Sequence, residues 1–124
     1  LLQFSGALVV GSYSGSHSNS VDVRDNAQLN TVGMTVGNAG NALYNRVTIS
    51  DNATGNLGAG GITIGSGGVS NTLLVSGGIA TNAGNIVVGS ASSYNSLVVS
   101  NAGKLYFSQL NFDFDFFFGF IRLG

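Results

Sequence analysis

Five aspartates, three arginines, one lysine and one histidine are all that this 124-residue chain offers for acid–base or electrostatic chemistry. His17, in a Ser/Gly loop, would need a nucleophile and an orienting acid to act as a general base. Asp22 and Asp25 follow it closely and serines are abundant, so a triad is easy to draw, but no spacing selects one. A solvated loop histidine is the simpler reading. Asp22, Arg24 and Asp25, with Arg46 one repeat later, form the local charge cluster. Glycoside cleavage needs a pair of carboxylates, or a carboxylate beside a metal and a base, on one face. The spacing of Asp22 and Arg24 predicts instead one exposed ion pair, which contributes little. Asp25 and Asp51 recur in Arg24-Asp25-Asn26-Ala27 and Ser50-Asp51-Asn52-Ala53, where a calcium ion could bridge them. The matching later positions are Gly77 and Asn101, so turn chemistry explains the pair better. No residue set is assigned a catalytic, cofactor-binding or metal-ligating role, and the chain is expected not to be an enzyme.

Other side chains are weaker signals. Thr35 and Thr63 fall at equivalent positions and would stack outward, as in the flat threonine arrays of ice-binding solenoids. Val9 and Val87 interrupt the column after two rungs. Asn52-Ala53-Thr54 fits a glycosylation acceptor. Tyr44 and Tyr94 each precede a repeated asparagine, while Tyr13 and Tyr106 are scattered. Composition narrows the partners. Only 7% of residues are charged and the net charge is −1, so no basic face exists to neutralise phosphates and nucleic acid is excluded as a partner. The same lack removes a basic amphipathic surface for a membrane, and no apolar run approaches the roughly 20 residues of a spanning helix. Without cysteine or proline, there is no disulfide or thiolate site, and turns fall to Gly, Asn and Asp. Leu1-Leu2-Gln3-Phe4 lacks the features of a signal peptide, and the chain reads as an excerpt of something longer.

The elements that must position these residues come from a repeated phrase. An apolar–x–apolar strand ends in Gly at Leu8-Val9-Val10-Gly11, Met34-Thr35-Val36-Gly37, Ile62-Thr63-Ile64-Gly65 and Ile86-Val87-Val88-Gly89. After a polar loop, a second strand opens on Asn19, Asn45, Asn71 or Asn95. Period-two alternation turns Leu8/Val10, Met34/Val36, Ile62/Ile64 and Ile86/Val88 inward. It does the same for Val21/Val23, Val47/Ile49, Leu73/Val75 and Leu97/Val99. Leu29, Leu57, Ile79 and Leu105 are the expected anchors of a third short side. Repeats of this size signal stacked coils, because one coil alone buries too little apolar surface to offset its ordering entropy. The four asparagines share the parity of the inward residues, so their amides are expected to hydrogen-bond along the stack or to cap the loops. The fold class predicted is therefore all-β: a parallel β-helix of about four coils of 24–28 residues over residues 1–110, with an atypical Phe-rich segment over 111–124.

The run Val88-Gly89…Asn95-Ser96-Leu97-Val98-Val99-Ser100-Asn101-Ala102-Gly103 resembles the repeats of bacterial autotransporter passenger-like and secreted-adhesin β-helices, over roughly residues 8–110. The resemblance implies a right-handed helix and an extracellular or outer-membrane surface location. It also implies a structural or adhesive role, toward surface glycans or proteins of host or neighbouring cells. No family catalytic motif falls on these residues. Parallel β-helices also serve carbohydrate-active enzymes, and low charge with open ends would suit a self-assembling fibre, so both remain as alternatives.

Seven of the eight phenylalanines lie in residues 107–120. Leu110-Asn111-Phe112 falls where a fifth first strand is due, yet Asp113 stands in place of the expected glycine. Aromatic side chains there could cap the rod's end, or the composition could mark a shifted reading frame. As a cap, the segment protects the last rung, so deletion of 111–124 should lower solubility. Size-exclusion chromatography checks this, and a better-behaved monomer after deletion would refute the cap.

Overall fold

The computed structural model describes residues 1–112 and 120–123. Among them every element is a strand. In chain order these are β1 (Leu2–Gln3), β2 (Leu8–Val10), β3 (Ser20–Val23), β4 (Gln28–Asn30), β5 (Met34–Val36), β6 (Arg46–Ser50), β7 (Thr54–Asn56) and β8 (Ile62–Ser66). They continue with β9 (Thr72–Ser76), β10 (Ile79–Thr81), β11 (Asn85–Ser90), β12 (Ser96–Ser100), β13 (Lys104–Leu105), β14 (Gln109–Phe112) and β15 (Phe120–Leu123). Every third strand is a hydrogen-bonded neighbour, giving three five-stranded parallel sheets: β1-β4-β7-β10-β13, β2-β5-β8-β11-β14 and β3-β6-β9-β12-β15. This is a parallel β-solenoid of about four turns, as the repeat predicts.

Two of its sides carry the expected columns. Leu8, Met34, Ile62, Ile86 and Leu110 pair in register, as do Val10, Val36, Ile64 and Val88. On the next side Val21, Val47, Leu73 and Leu97 align, beside Val23, Ile49, Val75 and Val99. Both sets join one core, fully buried in the middle coils and partly exposed at Val21 and Val99. Like side chains stack at about 4.8 Å, so each coil covers its neighbour's apolar edge and β-branched side chains fit the pleat.

The third side corrects the expected anchors. Its inward column is Leu29, Gly55, Ala80 and Leu105. Ile79 faces out at 37% exposure, and Leu57 lies beyond β7. The physical cause is an insertion. The corner between β7 and β8 runs over residues 57–61, whereas the corresponding corners are 31–33 and 82–84. The longer corner lets Leu57 turn back into the core, where it fills the space above Gly55. A Cβ at Gly55 would lie 2.7 Å from Ile49 Cδ1 and 3.1 Å from Leu57 Cδ2. Glycine is thus the small partner of two large neighbours, conserving core volume.

The opposite corner, between the second and third sides, turns tightly. Asp25 and Asn26 have φ of 56° and 63°, Asp51 and Asn52 have 52° and 63°, and Asn101 and Ala102 have 50° and 59°. The N–H groups of Ala27, Ala53 and Gly103 donate to Arg24, Ser50 and Ser100 carbonyls at 3.0, 2.9 and 2.8 Å. Two successive positive φ angles under such a bond define a type I′ turn, which Asn and Asp tolerate. The Asp25 and Asp51 pair is therefore a pair of turn residues.

Of the tail, β14 continues the first side, with Val88 opposite Phe112, and β15 pairs with β12. Of the segment 111–124 expected as a cap, residues 113–119 and 124 lie outside the described residues. Ile64→Ala, at the centre of the core between Val36 and Val88, should destabilise the protein by about 3 kcal/mol in urea unfolding. Thr63→Val, one position away but outward, should change stability by less than about 0.5 kcal/mol.

Candidate functional site

The four repeated asparagines form a ladder. Asn19 Nδ2 donates to Asn45 Oδ1 at 2.9 Å, Asn45 Nδ2 to Asn71 Oδ1 at 3.0 Å, and Asn71 Nδ2 to Asn95 Oδ1 at 3.1 Å. Each Oδ1 also accepts the backbone N–H of the preceding asparagine, at 3.1, 2.9 and 2.9 Å. The second amide hydrogen of Asn45 goes to Ser16 O at 3.2 Å, and that of Asn71 to Ala42 O at 3.0 Å. Asn95 instead donates to Ser92 Oγ at 2.9 Å, and that hydroxyl donates to Gly65 O. The amides thus do both expected jobs, bonding along the rod and tying down the loops. Asn45, Asn71 and Asn95 are buried, while Asn19 ends the ladder in solvent. No buried side-chain nitrogen or oxygen among the described residues lacks a partner.

The ladder explains the glycine that follows the inward pair at three of the four first strands. Gly11, Gly37 and Gly65 have φ of 77°, 77° and 78°. A Cβ at any of them would also collide with the amide of Asn45, Asn71 or Asn95 in the following coil. Sequence alone suggests the corner and the left-handed φ. The overlying amide, 34 residues downstream of Gly11 and Gly37 and 30 downstream of Gly65, is visible only in the folded chain.

Loops 12–18, 38–44, 66–70 and 90–94 lie along one corner and are themselves joined rung to rung. Leu43 bridges His17 on one side and Val69 on the other. Further bonds run from Gly15 N to Asn41 O (3.2 Å), Ser18 N to Leu43 O (3.0 Å), Tyr44 N to Val69 O (3.3 Å) and Ser70 N to Ser93 O (3.1 Å). The loops form a ledge. The residue before each ladder asparagine is left-handed in every coil: Ser18 at 55°, Tyr44 at 58°, Ser70 at 58° and Tyr94 at 59°. That backbone costs a non-glycine residue about 1–2 kcal/mol. The tyrosines there are 62% and 60% exposed. Tyr44 and Tyr94 therefore share a column, in keeping with their common place before a repeated asparagine. His17 is exposed on the same ledge.

The charged residues gather differently from expectation. Arg24 Nε lies 3.7 Å from Asp25 Oδ2, not paired with Asp22, and both groups are exposed. Strand β3 ends at Val23, so Arg24 already belongs to the turn that carries Asp25. Asp22 aligns with Thr48, Leu74 and Val98, so its column holds one carboxylate. A shallow cleft of about 360 Å³ is lined by Ser20, Asp22, Arg24, Arg46, Thr48, Ser50 and Asp51. It brings Asp51, rather than Asp25, to the same hollow as Asp22. Arg46 Nε donates to Thr48 Oγ1 at 3.0 Å, and Ser50 Oγ to Asp51 Oδ2 at 2.9 Å. A second hollow, of about 610 Å³, opens where Gly77 and Gly78 carry no side chains between Asp51 and Lys104.

Among the described residues no three His, Asp or Glu side chains gather as a metal site, and no helix is long and apolar enough to cross a membrane. Val9, Thr35, Thr63 and Val87 align on the outer face of the first side, with the two threonines adjacent. Asn52 of the glycosylation motif is exposed at a turn. No protein-family model matches the chain, and no curated protein or solved structure is significantly similar to it.

Asn71→Ala should remove both donors to the neighbouring coils and leave the Asn45 N–H and Nδ2 groups facing no acceptor. A loss of about 3 kcal/mol or more is expected in chemical denaturation. Asn19→Ala, at the exposed end, should lose less than about 1 kcal/mol by the same measurement.

Proposed function

We propose that this chain is a non-catalytic structural segment of a bacterial surface or secreted β-helix protein of adhesin type. It acts as a rod whose stacked loops offer a ledge to surface glycans or to proteins of another cell. The asparagine ladder is the observation that supports this most. It commits buried polar side chains of the described coils to holding one coil on the next, at right angles to the strands, as a load-bearing spacer requires. Every buried side chain of the described residues is non-ionisable, so the ladder and core keep their bonding when the surrounding pH changes. The resemblance of residues 8–110 to adhesin repeats is the ground for proposing a surface location.

A carbohydrate-cleaving β-helix is the second reading, favoured by the cleft that gathers Asp22, Asp51, Arg24 and Arg46. The two readings separate in one comparison. Cells displaying the full chain on their surface should adhere to other cells or glycan-coated plates more than cells without it, and purified chain should leave neutral and acidic polysaccharides at full length. Depolymerisation that disappears in Asp22→Asn/Arg24→Ala would replace the adhesive reading with the enzymatic one.

A further inference from the structure

We propose that the corner carrying Tyr44 and Tyr94 is a stacking site for an extended, uncharged, β-linked polysaccharide. The inference rests on the adhesive-rod reading and names its ligand class. Both tyrosines occupy the same backbone position, at φ of 58° and 59°, where glycine or asparagine would sit with less strain. A bulky residue held there is an outlier, and such strain concentrates where function requires a particular side chain. Burial does not account for the choice, since the two residues are 62% and 60% exposed.

The spacing selects the ligand's shape. Asn45 and Asn95 follow the two tyrosines and are separated by the single rung of Asn71. Two parallel-strand spacings place the tyrosine positions about 10 Å apart. That is about one disaccharide of an extended β-linked chain, in which alternate rings present the same face. Ser70 holds the equivalent position between them, a small residue that leaves room for the intervening sugar. Tyrosine supplies a rigid apolar face with a polar tip at low entropic cost, which suits the C–H face of a pyranose.

The surroundings select its charge. Segments 38–44, 66–70 and 90–94 contain no Asp, Glu, Lys, Arg or His. They offer Asn38, Asn41, Ser66, Ser70, Ser90 and Ser93, which are hydroxyl and amide groups matched to a neutral polyol. A uronic or sulfated glycan would meet no counter-charge on these three segments.

The test titrates cellohexaose and xylohexaose into the full chain and follows tyrosine fluorescence and amide NMR shifts, with a dextran hexasaccharide for comparison. Because the chain has no Trp, its four tyrosines report directly. Binding of an extended hexasaccharide, weaker binding of dextran, and a loss of at least about tenfold in Tyr44→Gly/Tyr94→Gly are expected. Glycine relieves the left-handed backbone, so the variant's Tm should be unchanged or higher. Three results would overturn the proposal: no binding of either hexasaccharide, equal affinity in the variant, or a lowered Tm, which would make the rings structural. Adhesion that persists while both hexasaccharides fail to bind would leave the rod reading standing and remove the glycan.

Discussion

An asparagine amide buried between coils must place two donors and one acceptor where water cannot help. In this chain that demand is met by another asparagine one rung away. Its oxygen takes the N–H and the Nδ2 of the coil before, and the remaining hydrogen returns to the loop of that same coil. The pattern has a direction, since each coil donates to the next. It also fixes register twice over. A slip of one residue would turn the valine and isoleucine columns outward and would also strand the amides. The apolar and polar signals agree on one alignment, which is the condition for a single well-defined fold.

Everything else adapts around that alignment. The asparagines are 26, 26 and 24 residues apart, yet the rungs remain in register because corners and loops absorb the difference. Coil three shortens its ledge loop and lengthens the corner after β7, and the added residues bring Leu57 over Gly55. The ladder's bonds to Ser16 and Ala42 carbonyls draw the ledge loops into line. The residue before each asparagine adopts left-handed φ in every coil. A stacking constraint in the interior thus determines the geometry of the exposed face on which the proposed glycan site stands.

Much of this was legible in the residues. Alternation at Ile62-Thr63-Ile64 or Val47-Thr48-Ile49 needs only the two-residue period of a strand, and recurrence at a fixed interval needs only comparison of the chain with itself. The inward parity of Asn71 could be read the same way. Legibility failed where length varied. Leu57 and Ile79 looked like members of the third column because they are apolar at about the right distance, but an insertion moved one past its strand and phase turned the other outward. Arg24 looked like a partner for Asp22 because strand alternation was carried one residue too far, into a turn.

The sequence by itself determined the side-chain periodicity, the inward faces of two sheets and the polar residues that would meet between coils, because these depend on local alternation repeated along the chain. Only the tertiary structure decided which small residue faces which large one and why Gly37 lies under the Asn71 amide. Those relations join residues of different coils, and the corner lengths that set them are fixed by packing and hydrogen bonding rather than by any local preference.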